Sequence, residues 1–289
     1  MREEKDRYAV KFADANAEYN NSNIVIVGVP FDGTASFRDG ARLAPDRIRE
    51  ASYNFETYYP EYDAEITELS FCDLGNLNVN SVEDTALEVK KNVEKVLNDG
   101  KMPILLGGEH SITIHSASVF KELCDGFFIS LDAHLDLRDA YEETKYSHAC
   151  VARRVFERFG EDMALIGIRS GSKEEYAFLK EMGIASFSAE NVKSRGVKDI
   201  VRAVKKRSFG RKIYLSLDMD VIDVSFAPGT ENPEPYGLNP SEVRAFISGF
   251  SKEVSAFDLV EVSPKYDYGE TSLLAARLIR DLIMEKYFG

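Results

Sequence analysis

Four aspartates and two histidines stand in three short motifs, each at the end of an apolar run. Gly107-Gly108-Glu109-His110-Ser111 follows Leu105-Leu106, and Asp132-Ala133-His134-Leu135-Asp136 follows Phe127 to Leu131. The third, Asp218-Met219-Asp220, follows Ser216-Leu217. In extended chain, residues two apart project to the same side, so Asp132, His134 and Asp136 should converge, as should Asp218 and Asp220. Ligands of open parallel sheets bind at the C-terminal strand ends, which would bring the three motifs to one edge. Four neighbouring carboxylates cannot all stay ionised unaided, because like charges raise one another's pKa. Two divalent cations would balance their four negative charges. Oxygen-rich ligation with two imidazoles suits Mn²⁺ better than zinc, and no cysteine lies near these motifs to make a thiolate site.

Each motif alone has an ordinary explanation. A histidine after a strand is commonly a satisfied loop residue, and aspartate at a strand end commonly caps a turn. A DxHxD triplet after an apolar run is harder to dismiss, since burying it unpaired would be very costly. The chain has only four histidines, and two of them fall in these motifs, so the two-metal reading takes precedence. His115 lies five residues beyond His110 on an expected helix, off that face, and is assigned to structure. His148, in Tyr146-Ser147-His148-Ala149-Cys150, reads either as a surface residue or as the group that protonates a leaving amine. Glu261 ends the run Phe257 to Val260; it is either a solvated strand-end acid or a bidentate partner for a guanidinium.

Other motifs carry less. Gly28-Val29-Pro30-Phe31-Asp32-Gly33 lacks the GxGxxG spacing, and Gly33 to Gly40 lacks the Lys-Ser/Thr of a phosphate loop. Arg38, Arg42, Arg47 and Arg49 are punctuated by acids and read as a helix face or subunit contact. Cys150 beside His148 is a poor nucleophile pair, because adjacent residues seldom face each other.

The elements that must position these residues alternate in kind. Apolar strand candidates are Ile24 to Val27, Pro103 to Leu106, Phe127 to Leu131, Ala164 to Ile168, Ile184 to Phe187, Lys212 to Leu217 and Phe257 to Val262. Being nearly all apolar rather than alternating, they fit a parallel sheet covered on both faces. Ser81-Val82-Glu83-Asp84 resembles a capping box with Asp84 in place of Glu, ahead of a helix that stops at Gly100. Ser172 to Met182 repeats the plan with Glu175 and Gly183, Pro240 opens another helix, and Thr271 to about Lys286 forms the last. The loop Asp223 to Asn239 is long, and its three prolines favour a fixed path. The reading is one α/β domain over 1–289 with an elaborated loop rim.

Composition excludes several classes. A formal charge of −13 argues against a nucleic-acid surface. No apolar run is long enough to span a membrane, and Met1 to Arg7 has no apolar region of a secretory signal. Cys72, Cys124 and Cys150 read as free thiols in a reducing, cytoplasmic setting.

Gly107 to Ser111, Ser130 to Asp136, Ser216 to Asp223 and Glu261-Val262-Ser263-Pro264 resemble the ureohydrolase (arginase/agmatinase) family in order and spacing. Gly28 to Arg49 resembles its N-terminal segment, so the resemblance covers nearly the whole chain. It implies a three-layer α/β/α sandwich around an eight-stranded, mostly parallel sheet, assembled as a trimer or hexamer. It implies two Mn²⁺ per subunit: His110, Asp132, Asp136 and Asp218 on one, His134, Asp132, Asp218 and Asp220 on the other, with Asp132 and Asp218 bridging. A hydroxide between the metals would attack the guanidinium carbon. Asp136 would orient it, Glu261 would position the guanidinium, and His148 would carry the proton to the leaving amine.

The segment Tyr146 to Arg154 resembles the SHAxxxRR segment of microbial agmatinases. After Asp136, the stretch Leu137 to Thr144 is acidic and bulky where arginases place Asn, Ser and Thr to grip an α-carboxylate. The resemblance therefore points to a small cationic guanidino substrate, agmatine, giving putrescine and urea in polyamine biosynthesis. Arg138 is the counterweight, since it could pair with a carboxylate. Where the family has Pro after DxDxxD and a PGTGTP run, this chain has Val224 and Pro228-Gly229-Thr230-Glu231-Asn232-Pro233, a departure expected to affect the substrate rim. Rivals within the family are arginase, guanidinobutyrase and formimidoylglutamase. Outside it, a single-zinc deacetylase leaves the surplus carboxylates unexplained. A catalytically silent homologue acting as a binding or regulatory partner would tend to have lost a ligand, and all six are present.

Overall fold

Apolar runs of five to seven residues dominate the strands of the central sheet, because helices cover both of its faces. The computed structural model describes residues 10–289; the charged stretch Met1 to Arg7 lies outside them. In chain order the elements are β1 (Ile24–Val29), α1 (Ala44–Ser52), a short hairpin β2 (Tyr58–Tyr59) and β3 (Ala64–Glu65), β4 (Phe71–Asn76) and α2 (Val82–Asn98). Next come β5 (Met102–Gly107), α3 (Ile112–Cys124), β6 (Phe127–Leu131), α4 (Val151–Phe159), β7 (Met163–Ile168), α5 (Lys173–Glu181) and β8 (Ala185–Ser188). The chain closes with α6 (Ala189–Arg195), α7 (Val197–Ser208), β9 (Ile213–Asp218), α8 (Pro240–Phe250), β10 (Val254–Val260) and α9 (Glu270–Phe288).

The sheet has eight strands in the order β4-β1-β5-β10-β9-β6-β7-β8, and every pairing in it is parallel. Helices α1, α9, α8, α7 and α6 pack in a row on one face, while α2, α3 and α4 form the other; α5 joins them through the Phe156–Phe178 edge contact. The result is a three-layer α/β/α sandwich. Side chains such as Ile104, Leu106, Ile129 and Leu215 are fully buried in it, each contributing roughly 1.5–3 kcal/mol relative to exposure. Among the described residues, no helix is long and apolar enough to cross a membrane.

The strand order places the chemistry. Strands β5, β10, β9 and β6 are neighbours, so the residues following or ending them (His110, Glu261, Asp218 and Asp132) meet at one edge. Gly108 permits the crossing: a Cβ there would fall 1.8 Å from the Phe31 carbonyl oxygen.

Several expectations are corrected. The eighth strand, β4, reads Phe-Cys-Asp-Leu-Gly-Asn and was absent from the apolar runs, since an edge strand needs less apolar surface. Asp84 does not complete a capping box: Ser81 accepts the Asp84 N–H at 3.0 Å, but no reciprocal bond forms, its side chain being one methylene shorter than Glu. The four arginines share no common helix face. Arg38 reaches the carbonyls of Pro228 and Thr230, Arg42 pairs with Asp32, and Arg47 pairs with Glu50 on the surface. Arg49 is buried and bidentate on Asp73, at 2.7 and 2.9 Å.

That last pair ties α1 to β4. Truncating one partner strands the other charge in the interior, so Arg49→Ala should cost about 3–5 kcal/mol. Chemical denaturation checks this; a loss below about 1 kcal/mol, the range of a surface pair, would contradict it.

Candidate metal centre and active site

The DxHxD segment is not extended strand, contrary to the alternation argument. Strand β6 ends at Leu131, and the next residues bend, with Asp136 at φ 49°. The segment is instead stitched to the end of β7. Ala133 O accepts the N–H groups of Arg169 and Ser170 at 2.8 and 3.0 Å, and Leu135 N–H donates to Ser170 O at 3.1 Å. Likewise Asp218 is the last residue of β9, while Asp220 sits in the following 3₁₀ turn and donates its N–H to Asp218 Oδ1 at 2.9 Å. The carboxylates converge through these turns rather than through strand alternation.

They converge on His110. Its Nδ1 stands 3.3 Å from Asp132 Oδ2, 3.3 Å from Asp136 Oδ2 and 3.2 Å from Asp218 Oδ2. This nitrogen is buried without a hydrogen-bond partner. The cause lies behind the ring. Asp258 Oδ1 takes the Ser216 hydroxyl proton at 2.6 Å, so Ser216 Oγ can only accept from His110 Nε2, 3.0 Å away. With Nε2 protonated, the Nδ1 lone pair is left facing three carboxylate oxygens, an arrangement that a cation completes. A second group holds Asp132, His134 and Asp220 within 4.8 Å of one another, with His134 Nδ1 2.9 Å from Asp220 Oδ2. Asp132 belongs to both groups, one oxygen to each. His134 Nε2 points away to Glu234 Oε1 at 3.6 Å.

The electrostatics show the same demand for positive charge. Burial, then Asp132, pushes the Asp136 carboxyl up to about 7. Burial, then Asp220 and Asp132, drives Asp218 well above the carboxylate range. Burial opposes protonation of His110 and His134, yet the surrounding carboxylates overcome it and raise both rings well above the ordinary imidazole value. Left to protons alone, the site recruits them. The donor set, two imidazoles and oxygens with no thiolate, fits two hard divalent ions of the Mn²⁺ kind. Mn²⁺ binding near neutral pH should therefore release protons, and fewer as pH rises. Calorimetry in buffers of different ionisation enthalpy reads this directly; proton uptake would contradict it.

His148 and Glu261 reach the same cavity, of about 340 Å³. His148 opens a 3₁₀ turn ahead of α4, capped by Ser147. Thr34 Oγ1 donates to Glu109 at 2.6 Å, so towards His148 it can only accept. This favours the proton on Nδ1, 3.3 Å away, and leaves Nε2 beside Ser36 Oγ at 3.3 Å as an acceptor. Burial pulls His148 down to about 4, so the resting ring is neutral. Glu261, at φ 65° just past β10, is buried and not a solvated strand-end acid. Its Oε1 accepts the His110 N–H at 2.6 Å, and its Oε2 has no partner. His115 stays outside the site, stacked on Tyr146. Burial pushes the Cys150 thiol up to about 11, which removes it as a nucleophile.

Some contributors were not read from the sequence. Asp258 had a signal, a lone acid within a buried apolar strand, which demands partners; it finds Ser216, Thr113 and Tyr214. Arg169 had none. Its guanidinium holds the long loop through the carbonyls of Asp220, Glu234 and Pro235 at 2.6, 2.8 and 2.9 Å. The departure at Glu231-Asn232 divides: Glu231 is fully buried, whereas Asn232 lines the cavity, as a change at the rim should.

The acids after Asp136 also fall elsewhere than expected. Asp139 is engaged by Arg154 and Lys145, and Glu142 and Glu143 are exposed in a turn. From that stretch Arg138 and Tyr141 line the cavity. Arg138 lies over the Tyr141 ring, its Nε 3.6 Å from the buried Glu175.

Comparison with known proteins agrees with this geometry. The family model described as "Arginase family" matches residues 22–285. The N(1)-aminopropylagmatine ureohydrolase of Thermococcus kodakarensis is 40% identical over 91% of this chain and 90% of its own. The agmatinase of Pyrococcus horikoshii is 38% identical, covering 91% of each. The solved agmatine ureohydrolase of Thermoplasma volcanium superposes with a TM-score of 0.92 at 40% identity, over 96% of this chain and 94% of that one. With the family's model spanning the sheet, its edge and the helices that cover both faces, the chain belongs to the arginase family of hydrolases.

Proposed function

We propose that this chain is a binuclear manganese amidinohydrolase that converts agmatine to putrescine and urea. The observation that carries the reading is the orphaned His110 Nδ1 within three carboxylate oxygens, with a second ligand group sharing Asp132 beside it. His110, Asp132, Asp136 and Asp218 would hold one ion, and His134, Asp132, Asp218 and Asp220 the other. Bound there, the ions lower the pKa of water and supply a nucleophile near neutral pH.

The remaining work falls to the chain's own side chains. Glu261 Oε2, buried and without a donor, receives the guanidinium and turns its carbon towards the ligand cluster. Asp136 accepts a hydrogen bond from the attacking oxygen. As the C–O bond forms and the C–N bond breaks, the leaving amine needs a proton. His148 is neutral at rest, so it acts as a relay rather than as a stored acid, taking at Nε2 the proton that the attacking oxygen gives up and passing it to the leaving amine nitrogen. Arg138 is matched to Glu175, which favours a substrate without a carboxylate. An agmatine carrying an aminopropyl arm is the second reading, favoured by the Thermococcus kodakarensis relative.

Urea release by Mn²⁺-loaded protein tests this, with agmatine, aminopropylagmatine, arginine and guanidinobutyrate side by side. Agmatine should give the highest kcat/KM. Preference for a carboxylate-bearing substrate would overturn the specificity and point to Arg138. The free cysteines fit a cytoplasmic enzyme, and a trimer or hexamer is expected by light scattering.

A further inference from the structure

An antiparallel bridge joins Thr230 to Val262. In such a pair, one step forward on one chain meets one step back on the other, so Glu231 lies opposite Glu261. Glu231 is wholly buried, at 0% exposure. Its Oε1 accepts the Ala41 N–H at 3.1 Å. Its Oε2 has no donor, and neither has Oε2 of Glu261; each carboxyl sits within the electrostatic influence of the other. Glu231 and its neighbour Asn232 are the two positions at which the chain departs from the family's PGTGTP run.

Two carboxylates facing each other in the interior cannot both be ionised, and one shared proton turns their repulsion into a charge-assisted hydrogen bond. The side-chain cations of the neighbouring loops are engaged elsewhere: Arg42 pairs with Asp32, and Arg38 holds the carbonyls of Pro228 and Thr230. The other acids around the pair, Glu109 and Asp32, deepen the negative potential. Burial pushes both carboxyls up, Glu231 to about 8 and Glu261 well above the carboxylate range. The shorter backbone N–H bond to Glu261, 2.6 Å from His110 against 3.1 Å from Ala41 to Glu231, leaves the charge on Glu261 and the proton on Glu231.

We propose that Glu231 is a positioning residue for Glu261: its carboxyl O–H donates to Glu261 Oε2 and clamps that carboxylate against the His110 N–H. Each carboxylate oxygen accepts two hydrogen bonds, so Glu261 keeps a lone pair on both oxygens for a guanidinium. The pair carries one net negative charge, matched to one substrate cation. The inference rests on the role proposed above for Glu261.

Three forms of the Mn²⁺-loaded protein decide it: wild type, Glu231→Gln and Glu231→Ala. Glutamine supplies an N–H donor without a titratable proton, so its KM for agmatine should stay within about threefold of wild type. Alanine removes the donor, and KM should rise about tenfold or more while kcat changes less. Independently of turnover, infrared spectra at neutral pH should show a protonated-carboxyl carbonyl band in wild type that both variants lack. Wild-type KM in Glu231→Ala, a tenfold rise in Glu231→Gln (~1.4 kcal/mol), or a band that persists in Glu231→Gln would each overturn the proposal. Should Glu231→Ala fail to fold, the glutamine variant and the band decide alone. If wild type releases no urea from any guanidino compound, the proposed function fails, while the infrared comparison still tests Glu231.

Discussion

Replacing Asp132 with Asn should lower urea release from agmatine about a thousandfold and remove roughly half of the bound metal. Asp132 spans both ligand groups. Its Oδ2 stands 3.3 Å from His110 Nδ1, and its Oδ1 lies 3.8 Å from His134 Nδ1 while accepting the His134 N–H at 2.6 Å. Asparagine can keep the backbone hydrogen bond through its amide oxygen. Its NH₂ group offers neither charge nor a lone pair to a cation, so one half of the bridge disappears. Metal analysis and urea release on the same sample check both parts. Full turnover with two ions bound would take Asp132 out of the bridging role.

His148→Asn should cut turnover about a hundredfold with both ions retained. Asparagine can still hydrogen-bond in the pocket formed by Thr34, Ser36 and Ser147, so the local fold should survive. It cannot take up and release a proton. Because burial holds His148 near 4, the wild-type ring stays neutral through the neutral range. The acid limb of the rate should therefore belong to other groups and look the same in both proteins. Added imidazole should restore part of the lost rate, since the missing function is proton transfer rather than substrate binding. Undiminished turnover in the variant would remove His148 from the mechanism.

What was legible in the sequence followed from local physics. Seven apolar runs announced the strands because both faces of a parallel sheet must be apolar, and Ser172 and Pro240 announced helix starts because capping is local. Strand β4 escaped because, at the sheet edge, its sequence is half polar. The clustered aspartates were legible as a group, yet strand alternation does not place them: Asp136 follows a turn stitched to β7, and Asp220 sits in the 3₁₀ turn after β9. Residues acting over long range left weaker traces. Asp258 serves His110 through Ser216, and Glu231 meets Glu261 only because a loop returns to the end of β10. Nothing in the local pattern of either stretch names its partner.

The central claim is that two ions on this one cluster hydrolyse a guanidino compound. The most direct measurement titrates Mn²⁺ into metal-free protein while urea release from agmatine and bound metal are followed together. The account predicts that two ions bind per chain and that full activity requires both. Full activity with a single ion, or two bound ions with no urea from agmatine or its aminopropyl derivative, would contradict it.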